Sequence, residues 1–291
     1  MLPLILMHKH LLLLLLFLIA GRALSQQTPK VPYGENPAAG RYLNVGDARI
    51  YYEVYGQGKP VVLLHGGLFG YINEYENVIP KLAGKFQVIA IATRGHGKSE
   101  LGTKPLSYPL FAEDTYAVIR HLTKDSVTVI GFSDGADQAY YLATKHPETV
   151  KRVVAIGGNL GTYDMSEEGK KGVQSLSAEM MEKNMAGFVA ERKKLMPKPE
   201  LFGKFVTDLL KVWNQTHYIE EETFSKIACP TLIVAGEKDG TPIERYVKMH
   251  RMLQNSQLAI VPDSDHIVLI RRPRLMNEII LAFVDPQYSV Q

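Results

Sequence analysis

The sequence predicts an α/β protein in which a mostly parallel sheet is covered by helices and carries a smaller helical insertion. Three observations predict it. Short continuous apolar runs recur along the chain, which is the pattern of strands covered on both faces. Segments with helical spacing lie between most of these runs, and that alternation is how parallel sheets are wired. One stretch of about sixty residues, from Leu160 to Glu222, contains no strand run at all.

Taken in chain order, the amino terminus comes first. Lys9, flanked by His8 and His10, precedes the unbroken apolar run Leu11 to Ala20, and Ala23 and Ser25 then stand at the −3 and −1 positions of a cleavage site before Gln26. The run is about half of the roughly 20 residues that a spanning helix requires, so residues 1–25 are expected to be a signal peptide rather than an anchor. The protein is therefore expected to be exported, to a periplasmic or extracellular location. Residues 26–40 form a polar leader with proline and glycine, expected to be flexible.

The core begins at Arg41. "RYLNVGDARIYYEVYG" is a hairpin pattern, with Gly46-Asp47 as its turn. "PVVLLH", "FQVIAIA", "SVTVIG", "VKRVVAIGG", "PTLIVAG" and "SQLAIVP" supply the covered strands. Helical spacing is present at Asn73 to Leu82, Pro109 to Leu122, Asp134 to Lys145, Ile243 to Leu253 and Pro273 to Phe283. The predicted organisation is a first core segment over 41–159, a helical cap of two or three helices over 160–222, and a second core segment over 223–291. The insertion leaves the sheet after the sixth core strand, at the carboxyl edge where such folds place ligands, and this makes it a lid.

Composition narrows the partners. A chain of 291 residues with 46% hydrophobic and 22% charged residues buries a sizeable core. Loss of the first 25 residues leaves 31 basic against 30 acidic side chains, a balance that favours neither nucleic acid nor an acidic membrane surface. A small-molecule substrate is the expected partner, and composition says nothing about oligomeric state. A single cysteine, Cys229, allows no intrachain disulfide and is expected to be an inert thiol. The histidines at 8, 10, 96, 121, 146, 217 and 250 show no paired ligand spacing, so no metal is expected.

Chemistry is concentrated at "VIGFSDGADQA". A strand that runs straight into Gly-X-Ser-X-Gly and a helix forces a sharp turn, which presents Ser133 at the sheet edge above a helix amino terminus. A serine hydroxyl needs a base and a group that orients the base. Downstream, Asp239 follows the strand in "PTLIVAGEKDG" and His266 follows the strand in "LAIVPDSDHIVLI", in the order acid then histidine. Glu237 and Asp265 are reserve acids. The loop His65-Gly66-Gly67 can supply an oxyanion donor from the Gly67 amide, with Leu68 as substitute, and the Asp134 amide is the second donor. His65 itself reads as a brace for that loop. The carboxylate of Asp134 either favours the helix amino terminus or attracts a cationic substrate group. Trp213, Phe188 and the methionines at 180, 181, 185 and 196 either line an apolar pocket or pack the cap.

With "LLHGG", "ATRGHGKS", "GFSDG", "PTLIVAGEKD" and the late His266 in this order, the chain resembles the α/β-hydrolase superfamily from about Arg41 to Val284. The resemblance implies an eight-stranded, mostly parallel sheet whose second strand is antiparallel, a small helical cap, and no cofactor. "HPETVKRVVAIGGN", "GTYD", "CPTLIVAGEKD" and "QLAIVPDSDH" are most similar to the biphenyl-hydrolase-like group that includes valacyclovir hydrolase. In that group the acid after the nucleophile is associated with esters bearing a free amine, which implies Asp134 as a substrate contact; Trp213, from the cap, is a further candidate contact. Two positions depart from the family pattern. Ala92 stands where the family often has Asp in Asp-X-Arg-Gly, and Asp265 replaces a frequent glycine before the histidine.

The expected activity is serine hydrolysis of a carboxylic ester or related acyl bond through an acyl-enzyme, with small aminoacyl esters favoured. The same triad could act on carbon-carbon bonds or amino-terminal proline peptides, and a non-catalytic ligand-binding member of the fold is the alternative from another class. Dehalogenases and epoxide hydrolases need an aspartate nucleophile, which Ser133 argues against.

Overall fold

The computed structural model describes residues 31–288. The expected signal peptide lies outside the described residues, as does the leader up to residue 30. From Tyr33 onward the segment expected to be flexible is instead tied to the sheet. The Gly34 and Asn36 amides both donate to the buried Glu53 carboxylate, each at 2.8 Å.

Eight strands form one sheet: β1 (Gly40–Asn44), β2 (Arg49–Tyr55), β3 (Lys59–Leu64), β4 (Phe86–Ile91), β5 (Val127–Phe132), β6 (Val150–Ile156), β7 (Thr231–Gly236) and β8 (Ser256–Val261). Their spatial order is β1-β2-β4-β3-β5-β6-β7-β8. Only β2 runs antiparallel to its neighbours. The central strands β5 and β7 are buried at every residue because helices cover both faces, which explains their unbroken apolar runs. β8 is the exception among the predicted buried strands. It closes one edge of the sheet, and most of its residues are only half-buried.

Two apolar clusters fill the two faces of the sheet. One gathers Val129, Ala139 and Ile233 beneath the helix Asp134–Lys145, and the other gathers Leu63, Ile130 and Ile280 beneath the helix Pro273–Val284. A third, built around Phe205, Leu209 and Met181, joins the insertion to Leu68, Tyr108 and Phe111 of the body.

Two predicted helical segments differ in detail. Asn73 to Leu82 is split into a 3-10 turn over Ile72–Tyr75 and a short helix over Ile79–Ala83, since Pro80 suits only the first turn of a new helix. The insertion contains five helices, not two or three: Glu167–Gln174, Ala178–Asn184, Ala186–Leu195, Phe202–Trp213 and Glu221–Phe224. Ser166 and Ser177 accept from the Gly169 and Met180 amides and so start new helices inside what reads as one amphipathic stretch.

The Ala92 departure has a clear setting. Ala92 is buried against the sheet, while Arg94, fully buried, pairs with Asp114 at 2.7 and 3.0 Å and with Asp47 at 3.0 Å. The guanidinium thus joins the hairpin turn to the helix Tyr108–Leu122. Because β3, β5, β7 and β8 are parallel, the loops after them emerge along one edge, which brings His65, Ser133, Asp239 and His266 to the same side of the sheet.

Candidate active site

Ser133 sits between β5 and its helix at φ 53°, ψ −121°, a left-handed conformation that costs a non-glycine residue on the order of 1–3 kcal/mol. The flanking glycines make the turn possible. A Cβ on Gly131 would lie 2.1 Å from the Gly135 carbonyl oxygen, and one on Gly135 would lie 2.0 Å from that of Leu64. Neither position has room for any other residue.

The hydroxyl of Ser133 lies 2.9 Å from His266 Nε2, and His266 Nδ1 lies 3.0 Å from Asp239 Oδ2. A carboxylate accepts, so Nδ1 carries the proton, and Nε2 is left to accept from the serine hydroxyl. The other oxygen of Asp239 takes the Thr241 amide at 3.1 Å, which fixes the carboxylate. Gly157 gives the imidazole its place, since a Cβ there would approach His266 Cε1 to 3.0 Å. Burial disfavours the imidazolium, but the hydrogen bond and charge of Asp239, with the charges of Asp134 and Glu74, outweigh it and raise the His266 pKa.

Neither reserve acid reaches the imidazole. Glu237 accepts the Asp263 amide, and Asp265 turns outward to Arg271 at 2.9 Å.

His65 is a brace, as expected: Nδ1 bonds the Gly66 carbonyl at 2.6 Å while Nε2 accepts the Thr93 amide at 3.0 Å. Burial holds its pKa down at about 3, so it is neutral. Gly67 and Leu68 both line the cavity over Ser133, and neither amide has a partner among the described residues. Leu68 is held at φ 58°. A Cβ on Gly67 would lie 2.2 Å from Asp134 Oδ2 and 2.6 Å from Trp213 Cζ2, so only glycine fits.

Asp134 and Trp213 meet, a contact that no sequence pattern predicts. The indole Nε1 donates to both carboxylate oxygens, at 2.9 and 3.0 Å, and the Tyr108 hydroxyl donates to Oδ1 at 3.0 Å. Burial lifts the Asp134 pKa to about 6 against the opposing pull of those two donors and of His266. The carboxylate makes no capping hydrogen bond to its own helix. Its neighbour Asp137, one turn on, accepts the Asn159 amide at 2.9 Å, and burial raises its pKa well above the carboxylate range.

These groups line a cavity of about 400 Å³, together with Phe132, Met165 and Tyr218. Among the described residues no lysine or arginine lines it, whereas Glu74, Asp134 and Asp137 all do. The methionines named from the sequence pack instead: Met181 and Met196 are buried in the cluster under the insertion, Met180 and Met185 pack against it, and Phe188 is 65% exposed. Cys229 is a free, half-buried thiol whose pKa burial raises. Among the described residues no cluster of His, Cys, Asp or Glu is placed to hold a metal ion.

Sequence reasoning missed Glu74, Tyr108 and Asp137. Asp137 had a signal, since it stands three residues after Asp134 on the same helix and therefore shares its face. Glu74 and Tyr108 had none, because the 3-10 turn and the helix start that bear them reach the site only through how the preceding loops pack.

This arrangement can pass a proton from a hydroxyl to an imidazole beside free backbone amides, and comparison with known proteins places it. Residues 59–193 match the family model described as the alpha/beta hydrolase fold. The chain belongs to the α/β-hydrolase superfamily and is a hydrolase. It is 24% identical over 278 residues to the human serine hydrolase BPHL, covering 89% of this chain and 90% of that protein. It is 25% identical over 268 residues to 2-hydroxy-6-oxo-6-(2'-aminophenyl)hexa-2,4-dienoic acid hydrolase of Metapseudomonas resinovorans, covering 86% and 92%. A solved serine hydrolase involved in carbazole degradation, the CarC enzyme, superposes with a TM-score of 0.69 at 25% identity over 85% of this chain and 99% of that one. Within the superfamily the chain thus stands with the serine hydrolases near BPHL and the meta-cleavage product hydrolases.

Proposed function

We propose that the protein is an exported serine hydrolase that cleaves a small carboxylic ester through an acyl-enzyme. The observation that carries this reading is the unbroken relay from Ser133 Oγ through His266 to Asp239, opening into a cavity with free backbone amides. His266 Nε2 takes the hydroxyl proton as Ser133 Oγ attacks the carbonyl carbon, and Asp239 steadies the resulting imidazolium. The Gly67 and Asp134 amides hold the oxyanion. Collapse expels the alcohol, which takes the proton from His266. Water, activated by the same imidazole, then frees the acid and restores the serine. Export rests on the signal-peptide pattern of residues 1–25.

Among the described residues a ligand in this cavity meets no lysine or arginine, and of the carboxyls that line it Asp134, with a pKa of about 6, is the one mostly ionised at neutral pH, which favours acyl groups bearing an amine over those bearing a carboxylate. Asp134 is the group we assign to the amine, because its carboxyl borders the cavity and is not spent on capping its helix. The same charge pattern disfavours the anionic carbon-carbon substrates named for some relatives. A strained serine maintained in contact with its base disfavours a purely binding role.

The test is a fluorophosphonate probe with a panel of acyl, aminoacyl and lactone compounds. Covalent capture at Ser133 and ester turnover abolished by Ser133→Ala are expected. Ester hydrolysis retained by folded Ser133→Ala protein would overturn the assignment, and turnover confined to amino-terminal proline peptides or carbon-carbon substrates would replace it.

A further inference from the structure

The loop from Gly66 to Gly70 carries the Gly67 amide, yet two of its first three residues are glycine and its third, Leu68, sits in the left-handed region at φ 58°. That conformation costs leucine roughly 1–2 kcal/mol, and a free loop would relax out of it. The described bond within the loop runs from the Gly70 amide to the Gly67 carbonyl, at 2.9 Å. Outside ties must therefore hold it. The two peptide groups of Gly66 are gripped by different side chains: His65 bonds its carbonyl at 2.6 Å, and Glu74 Oε2 accepts its amide at 2.8 Å.

Glu74 is well suited to hold a loop. It stands on the 3-10 turn Ile72–Tyr75, whose first and last residues are buried. The Tyr75 hydroxyl donates to the Leu64 carbonyl at 2.9 Å, with the Ile130 carbonyl at 3.2 Å, and so binds the turn to the ends of β3 and β5. The other carboxyl oxygen closes against Gly70, where a Cβ would come within 3.0 Å of it.

We propose that Glu74 is a positioning residue, whose carboxyl clamps the Gly66 amide and so presents the next amide, Gly67, to the reacting carbonyl. This rests on the reading of Gly67 as an oxyanion donor. The charged groups around Glu74 are His266, Asp134 and Arg192, and burial lifts its pKa to about 7 against the opposing Gly66 bond and His266. His266 in turn faces Asp239, Asp134 and Glu74. A charged Glu74 therefore supports the imidazolium as well as the loop.

Glu74→Gln and Glu74→Ala separate the two effects, because glutamine keeps an acceptor for the Gly66 amide without the charge and alanine keeps neither. Loss of one oxyanion donor costs on the order of 100-fold or more, so a donor that is loosened but present should cost roughly 10- to 100-fold. The alanine variant is expected to lose that factor in kcat with KM within about twofold. The glutamine variant should recover kcat to within roughly threefold, with the acid limb of kcat/KM moved to lower pH because a charge that favoured imidazolium is gone. Glu74→Met, which fills the volume without accepting, repeats the test if the alanine variant does not fold. Unchanged kcat in the alanine or methionine variant would overturn the proposal, as would a glutamine variant as impaired as alanine. Ser133→Ala is run alongside. Turnover that survives it sinks the hydrolase reading itself, whereas serine-dependent turnover indifferent to residue 74 sinks the clamp alone.

Discussion

Removing the charge of Asp134 should stabilise the protein above neutral pH. Burial moves this carboxyl from its usual 3.8 to about 6, and at 1.36 kcal/mol per pH unit the ionised form costs about 3 kcal/mol of folding free energy. The folded pKa lies above the unfolded one, so the cost is absent below about pH 4, grows as pH rises through both values, and is complete above about pH 6. Asp134→Asn keeps an acceptor oxygen for the Trp213 and Tyr108 donors and removes only the ionisation. Urea unfolding of wild type and variant at pH 7.5 and pH 5 measures the difference. The variant should be more stable by about 1–3 kcal/mol at pH 7.5 and by about half as much at pH 5. A gap that does not change with pH, or a variant less stable at both, would refute the claim that a buried charge is maintained here at the expense of stability.

Selectivity should titrate with the same group. The ratio of kcat/KM for an alanine ester to its propionate analogue, in which the shared His266 titration cancels, should rise by up to about 10-fold between pH 5 and pH 7, the change in the ionised fraction of a group with a pKa of about 6, and be much flatter in Asp134→Asn. Trp213→Phe removes a donor that lowers the Asp134 pKa, so the midpoint of that rise should move to higher pH in the same assay. Asp239→Asn should lower kcat by about three to four orders of magnitude, and the acid limb of kcat/KM should move to lower pH, because Asp239 supports the imidazolium. Gly67→Ala forces a methyl onto Asp134 and Trp213, and steady-state kinetics should show kcat reduced on the order of 100-fold.

Much of the site could be read from the sequence because its parts follow strands. Once a parallel sheet is inferred from the apolar runs, Ser133, Asp239 and His266 fall at the carboxyl ends of β5, β7 and β8 and must share an edge. The choice of Asp239 over Asp265 rested on the same logic, and the structure shows why adjacency misleads: Asp265 points to Arg271 while its neighbour faces the cavity. Reading the insertion was harder. Amphipathic spacing located its helices but not the serine-capped breaks between them, and it left the roles of the methionines open, since packing and pocket lining have the same helical signature.

By itself the sequence determined the alternating elements, the strained turn at Ser133 and the chain order of its partners, because each follows from local periodicity and backbone sterics. Only the tertiary structure decided that Glu74, Tyr108 and Trp213 converge on the Gly66–Asp134 corner, and that Asp134 is both buried and doubly bonded there. Those contacts join residues 8 to 79 positions apart, and no local pattern records them. They are set by how the insertion and the loops pack over the sheet edge, and that packing determines the charge an acyl group meets.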